Sequence, residues 1–137
     1  MPFTPCISVR DTAVSIGFYR SLGFDVDSSL ARPGDDVHLL LYQGEFCGLL
    51  HSNADLKEWL PPLADTPVGL SGVLYLTVDD FDDFHERVRY KAGVIKGPLT
   101  DDLGQRVFYF RDIDKYVIGV HDRATFRASE LARYEGA

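Results

Sequence analysis

The sequence predicts an α+β protein made of two β-α-β-β-β modules in tandem, and three observations carry the prediction. The stretch Val9 to Phe24, VRDTAVSIGFYRSLGF, is the end of a short strand followed at once by a helix with both ends marked. Gly72 to Asp80 repeats the motif, an apolar strand that again runs into acids and then a helix. Each half then closes with a hairpin, and the halves superpose at a shift of about 70 residues, a period that calls for an internal repeat. Gly23 falls on Gly93 and His51 on His121.

Thr4 to Val9 alternates Thr4, Cys6 and Ser8 against Pro5, Ile7 and Val9, so small polar groups take one face of a strand and apolar groups the other. Asp11 or Thr12 can accept a bond from the free amides of the first helical turn. Val14, Phe18 and Leu22 recur at four-residue spacing, a stripe to be pressed onto a sheet. Gly23 stands where a helix ends in the left-handed conformation. Phe24 to Leu30 reads as a strand and Arg32 to Asp36 as a turn, by its Pro-Gly and acidic content. Val37 to Tyr42 and Phe46 to His51 form a hairpin across Gln43-Gly44.

Ser52 to Ser71 is the only long irregular stretch, with Trp59, Pro61, Pro62 and Pro67 and an expected helical turn at Asp55 to Leu60. It is long enough to cover part of a site; Trp59 is expected to anchor it rather than to wall a site. Gly72 to Val78 is the next strand. A helix with Phe81, Phe84 and Val88 follows, ending at Gly93. Val94 to Leu99 is a strand and Thr100 to Gly104 a turn. Gln105 to Arg111 and Tyr116 to His121 form a second hairpin across Asp112 to Lys115. In the tail, Phe126, Leu131 and Tyr134 have helix-compatible spacing and predict a short surface helix. The expected organisation is one domain over 1–137: a first module at 3–52, a connector at 53–70, a second module at 71–122 and a tail at 123–137.

Hydrophobic residues make up 45% and charged residues 26%, a globular balance. The net charge of −7 argues against nucleic acid or an anionic membrane as partner. No apolar run approaches the roughly 20 residues that span a bilayer, and MPFTPCISVRD shows no secretory signal. Cys6 and Cys47 have no CxxC or metal-finger spacing and are expected to be buried thiols in a reducing cytoplasm.

Two β-α-β-β-β units, with FYRSLGF closing the first helix, resemble the vicinal-oxygen-chelate superfamily, which includes glyoxalase I, extradiol dioxygenases, fosfomycin-resistance thiol transferases and bleomycin-binding resistance proteins. The resemblance covers residues 3 to 122 and implies two modules forming a cup-shaped mixed sheet. One turn departs from it: Asp-Pro-Asp-Gly-Asn in many relatives is Asp112-Ile113-Asp114-Lys115-Tyr116 here. The family reports a fold, so function rests on the site. In metal-dependent relatives the ligand positions correspond to Thr4, Ser71 and Gly119, where relatives place a glutamate at the last, with Leu49 as the repeat partner of Gly119. A divalent ion needs imidazole, carboxylate or thiolate donors there. None is present, so no metal and no other cofactor is expected.

His51 and His121 share strand parity with Leu49 and Gly119 and could face the cup near its rim. His38 has the opposite parity and is expected under a helix or at an edge, and His85 on a solvated face. By parity the cup is lined by Thr4, Cys6, Ser8, Cys47, Leu49, Ser71, Val73, Tyr75, Thr77, Val107, Tyr109 and Gly119. The expected ligand-binding set is Thr4, Cys6, Ser8, Leu49, His51, Ser71, Tyr75, Tyr109, Gly119 and His121. Small hydroxyls, aliphatic groups and two tyrosines suit a flat or amphipathic organic ligand; Tyr75 and Tyr109 either stack on it or simply fill the interior. No Ser-His-Asp or Cys-His arrangement and no glycine-rich phosphate loop is legible. The expected function is sequestration of a small organic molecule by a cytoplasmic homodimer, of the bleomycin-resistance type, whose members build sites across the subunit interface. The alternatives are a lyase, isomerase or dioxygenase-like enzyme with a relocated base or metal site, and a regulatory module whose cup is filled by its own side chains.

Overall fold

The computed structural model describes residues 3–127. The chain divides into two compact units, Met1–Leu70 and Ser71–Ala137, each built on a four-stranded mixed sheet. No helix among the described residues is long and apolar enough to cross a membrane.

In the first unit, β1 (Cys6–Val9) leads to α1 (Thr12–Ser21), followed by β2 (Asp25–Asp27), β3 (Val37–Tyr42) and β4 (Glu45–Ser52). The sheet order is β1-β4-β3-β2, with β1 parallel to β4 and the other pairs antiparallel. Asp11 is the cap: its backbone is extended and its carboxylate accepts the Val14 amide at 3.1 Å. The buried face of α1 is Ser15, Tyr19 and Leu22, whereas Val14 is 56% exposed and Phe18 half-buried. The helix is turned from the Val14–Phe18–Leu22 stripe because Tyr19 belongs to an aromatic line. Its ring packs edge-on against Phe24 at 5.2 Å, and Phe24 lies 4.8 Å from Tyr42. Fully burying a side chain such as Leu22 or Leu50 stabilises the unit by about 1.5–3 kcal/mol each.

The strand expected over Phe24 to Leu30 is limited to β2. Ser29 donates its amide to Asp27 at 2.9 Å and Ala31 donates to the Ser28 carbonyl at 3.0 Å, turns that take the backbone out of the ladder. After β4, Ser52 caps α2 (Asn53–Trp59), and a 3-10 turn follows at Pro61–Leu63. This helix buries none of its residues, so Trp59, 78% exposed, does not anchor the connector. The thiols also differ from expectation: both cysteines are free, but Cys6 is exposed and Cys47 half-buried. Cys47 falls where the β3–β4 register slips, between the pairs Leu40–Gly48 and Leu41–Phe46, so strand alternation does not carry through it. Gly48 makes this corner possible. It has φ +144°, and a Cβ there would lie 2.6 Å from the Pro5 carbonyl oxygen.

In the second unit, β5 (Val73–Val78) leads to α3 (Phe81–Lys91), then β6 (Val94–Thr100), β7 (Arg106–Arg111), β8 (Val117–Asp122) and α4 (Arg123–Arg127). The order β5-β8-β7-β6 repeats that of the first sheet, with β5 parallel to β8. Phe81, Phe84 and Val88 form the buried stripe of α3, and Phe84 packs on Phe108 and Phe110 at 6.2 Å each. His85 is half-buried rather than solvated, edge-on to Phe108 at 5.0 Å. The β7–β8 turn is held by Asp112, whose carboxylate accepts the amides of Asp114 and Tyr116 at 2.9 Å each. Lys115 takes the left-handed corner at φ 70°. Leu131 and Tyr134 of the expected tail helix lie outside the described residues.

Candidate functional site

The second sheet offers one face to α3 and the other to a groove, and strand register places the groove's side chains in rows. One row runs Tyr75, Gly119, Tyr109 and Lys96 across β5, β8, β7 and β6. Its neighbour on one side runs Val73, Val117 and Arg111; on the other it runs Thr77, His121, Val107 and Leu99. The groove has a volume of about 870 Å³, within the range of small-molecule sites. Tyr75 and Tyr109 line it together with the apolar side chains of Val73, Ile95, Leu99 and Val117. Lys96, Arg111, Asp101 and Asp102 bring charge to it.

Gly119 lets the two tyrosines converge. An added Cβ would sit 2.5 Å from Tyr75 Cε1 and 3.0 Å from Tyr109 Cε2, so the rings fill the space a side chain would take. The ring centroids are 6.1 Å apart at 70°, an edge-on pair, and the hydroxyls are 3.2 Å apart. Hydrogen bonding to Tyr75, and then burial, push the Tyr109 phenol up to about 12. Tyr75 remains 56% exposed, so it does not fill a closed interior. Its inner face stacks on His121 at 4.7 Å and 8°. Phe126 approaches the same imidazole at 6.1 Å. This burial holds the His121 imidazole below its ordinary pKa, with the nearby Asp101 charge opposing the shift in part.

The corresponding rows of the first sheet carry different chemistry. Cys6 pairs with Leu49, and Leu49 with Leu39; Ser8 pairs with His51, and His51 with Val37. Packing around its sulfur raises the Cys6 pKa, and burial pushes the Cys47 thiol to about 11, which leaves both protonated and weakly nucleophilic at neutral pH. His51 is buried, with Nε2 3.8 Å from an Asp35 oxygen and no hydrogen-bond partner. His38 lies on the opposite, buried face and is bonded through both nitrogens, Nδ1 to Ser28 Oγ at 2.7 Å and Nε2 to Asp36. Burial works against ionisation of Asp36, but hydrogen bonds from Thr12 and His38 outweigh it and hold the carboxyl below the usual range.

The ten residues expected from sequence thus fall into three places. Tyr75, Tyr109, Gly119 and His121 are neighbours on the second sheet; Cys6, Ser8, Leu49 and His51 are neighbours on the first. Thr4 and Ser71 precede the strands and are exposed. Sequence reasoning missed Lys96, Arg111, Asp101 and Asp102. Arg111 shares parity with Tyr109 and was within reach of a period-two argument. Lys96 was not, because β6 slips register on both sides of it.

The glyoxalase/bleomycin resistance protein/dioxygenase superfamily model matches residues 3–120. The chain belongs to this superfamily. No curated protein sequence matches the chain. Among solved structures, a protein of unknown function from Agrobacterium tumefaciens is 26% identical, with a TM-score of 0.72 over 89% of this chain and 94% of that one. A glyoxalase/bleomycin resistance protein/dioxygenase family enzyme from Burkholderia phytofirmans is 18% identical, with a TM-score of 0.69 over 87% of this chain and 95% of that one. A bleomycin-binding protein complexed with bleomycin is 18% identical, with a TM-score of 0.60 over 88% and 96%. These last two establish likeness of fold.

The metal of the superfamily's metal-dependent members does not fit these residues. Gly119 offers no donor and its space is taken by two phenol rings; Leu49 offers none, and Thr4 and Ser71 only neutral hydroxyls. Among the described residues no three His, Cys, Asp or Glu side chains are gathered to hold a cation.

Proposed function

We propose that this superfamily member binds a small organic molecule in the groove of its second sheet and sequesters it without chemistry. The observation that carries the reading is Tyr75, a ring 56% exposed beside Tyr109 at the floor of a groove of about 870 Å³. Exposed aromatic area held in one orientation by a neighbouring ring, a histidine stack and a hydroxyl contact suits a flat ligand. The proposed ligand-facing pair is Tyr75 and Tyr109, with Gly119 beneath the rings and His121 stacked behind Tyr75; Thr4, Cys6, Ser8, Leu49, His51 and Ser71 do not line the groove. The reading includes a cytoplasmic location and a homodimer, and for the dimer the physical reason is that β1, β2, β5 and β6 are the edge strands of their sheets.

Screening planar aromatic antibiotics and related metabolites tests the reading. Tyr75→Ala or Tyr109→Ala is expected to weaken binding by about 1–3 kcal/mol, with a smaller change in folding stability. Stability losses of roughly 3–5 kcal/mol at both tyrosines, with no ligand found, would sink it. Light scattering tests the dimer, and a clean monomer at micromolar concentration counts against it. The enzymatic alternative has one observation on its side, the depressed pKa that keeps His121 in the neutral form a base requires. Turnover abolished by His121→Ala or His51→Ala, with affinity retained, would favour that alternative.

A further inference from the structure

We propose that the ligand class of this groove is an aromatic anion, its ring over Tyr75 and Tyr109 and its carboxylate-type group held by Lys96 and Arg111. The inference rests on the binding reading above and adds a charge and an orientation to it.

Lys96 stands in the tyrosine row, paired with Tyr109 across β6 and β7. Arg111 stands one row further along β7, beside Val117. Two cations on neighbouring strands therefore flank Tyr109 and line the same groove, and neither has a carboxylate partner among the described ion pairs. Several other arginines of this acidic chain are paired, Arg87 with Asp80, Arg106 with Asp82 and Asp122, and Arg123 with Asp79, whereas Arg20 donates to the Val26 carbonyl. The opposite end of the groove is acidic, since Asp101 and Asp102 follow Thr100 at the end of β6. Asp101 is engaged in its own turn, where Oδ1 accepts the amides of Leu103 and Gln105 at 2.9 and 3.0 Å. Its charge still reaches Tyr109 and His121. An anion is thus repelled from one end and offered charge-assisted bonds at the other, with the apolar floor between. A guanidinium supplies a planar fork for a carboxylate and the ammonium a second point of contact.

Three probes of equal size test this on the full chain by ligand-observed NMR titration: 2-naphthoate, neutral 2-naphthamide and 2-naphthylmethylammonium. The naphthoate is expected to bind at least about 5-fold more tightly than the amide, and the ammonium more weakly than either. Lys96→Met and Arg111→Met should each remove most of that advantage while leaving amide affinity as it was. Equal affinity for naphthoate and amide, both lost in Tyr75→Ala, overturns the anion inference and leaves the groove reading standing. Tighter binding of the ammonium, or a naphthoate preference that survives both methionine variants, also overturns it. Binding of none of the three overturns it as well, and a ligand screen that is empty too removes the groove reading with it.

Discussion

Replacing Gly119 by alanine is the sharpest perturbation the second sheet offers. The new methyl carbon would lie 2.5 and 2.7 Å from two carbons of the Tyr75 ring and 3.0 Å from Tyr109, where carbon atoms rest at about 3.5–4 Å. The Gly119 backbone is trapped between β5 and β7, so the rings must yield, Tyr75 by about 1 Å. Tyr75 has room to move, being 56% exposed, but moving disrupts its stack on His121 and its hydroxyl contact with Tyr109. An aromatic pair is worth about 0.5–1.5 kcal/mol and overpacking costs about 1–3 kcal/mol. Because the outer ring face is free to swing into solvent, a loss near the low end, about 1–2 kcal/mol, is expected. A urea melt reads the stability and an NMR titration of the His121 ring reads the displacement. Uncovering the imidazole should raise its pKa toward the ordinary value, since burial is the leading cause of its depression. Unchanged stability together with an unchanged His121 titration would refute this account of the tyrosine pair.

Gly48→Ala is expected to destabilise the fold by about 2–3 kcal/mol in a denaturant melt, since φ +144° is combined with a backbone oxygen 2.6 Å from the new Cβ; a loss below about 0.5 kcal/mol would contradict it. Lys115→Gly should stabilise by about 0.5–1 kcal/mol, because an exposed lysine holds φ 70° in the turn; a lower melting midpoint would count against left-handed strain there. For His121 the folded pKa lies below the unfolded one, so the unfolded chain takes up the proton first. Its contribution to stability is complete above about pH 6.5 and is lost as pH falls through the depressed value. Melts of the protein and of His121→Phe at several pH values should therefore differ in pH slope as pH falls below about 6.5, and parallel slopes would refute the assignment.

The order of elements was legible because both periods are strong in this chain. Strand alternation separates Ile7 and Val9 from Cys6 and Ser8, and Phe81, Phe84 and Val88 mark one helix face without ambiguity. The first helix was harder: Val14, Ile16, Phe18 and Tyr19 offer competing apolar stripes, and the aromatic line through Phe24 and Tyr42 selects Tyr19. That selection is made by tertiary packing, which spacing does not encode. In the groove, the tyrosines followed from parity. Lys96 and the acids did not, because parity fails wherever a strand slips register, as β6 does. The slip at Cys47 misled in the same way.

The same residue accounts for both what this groove lacks and what it presents. The resemblance to metal-dependent relatives implies a glutamate at the position of Gly119, and a side chain there would need the volume now held by Tyr75 and Tyr109. A carboxylate at that point and the two rings at their present positions exclude one another sterically. The absence of a donor at residue 119 and the presence of the aromatic floor are therefore linked sterically. The link extends one layer down, because Tyr75, once seated over Gly119, also covers His121 and keeps its imidazole neutral. A glutamate at residue 119 would displace Tyr75, expose His121 and put a negative charge at the centre of a floor that faces Lys96 and Arg111. The groove would then no longer be an aromatic surface with its cations free for a ligand. The first sheet, with Leu49 where the second has Gly119 and Cys6 where it has Tyr75, has no such floor, which places the proposed binding surface in the second unit.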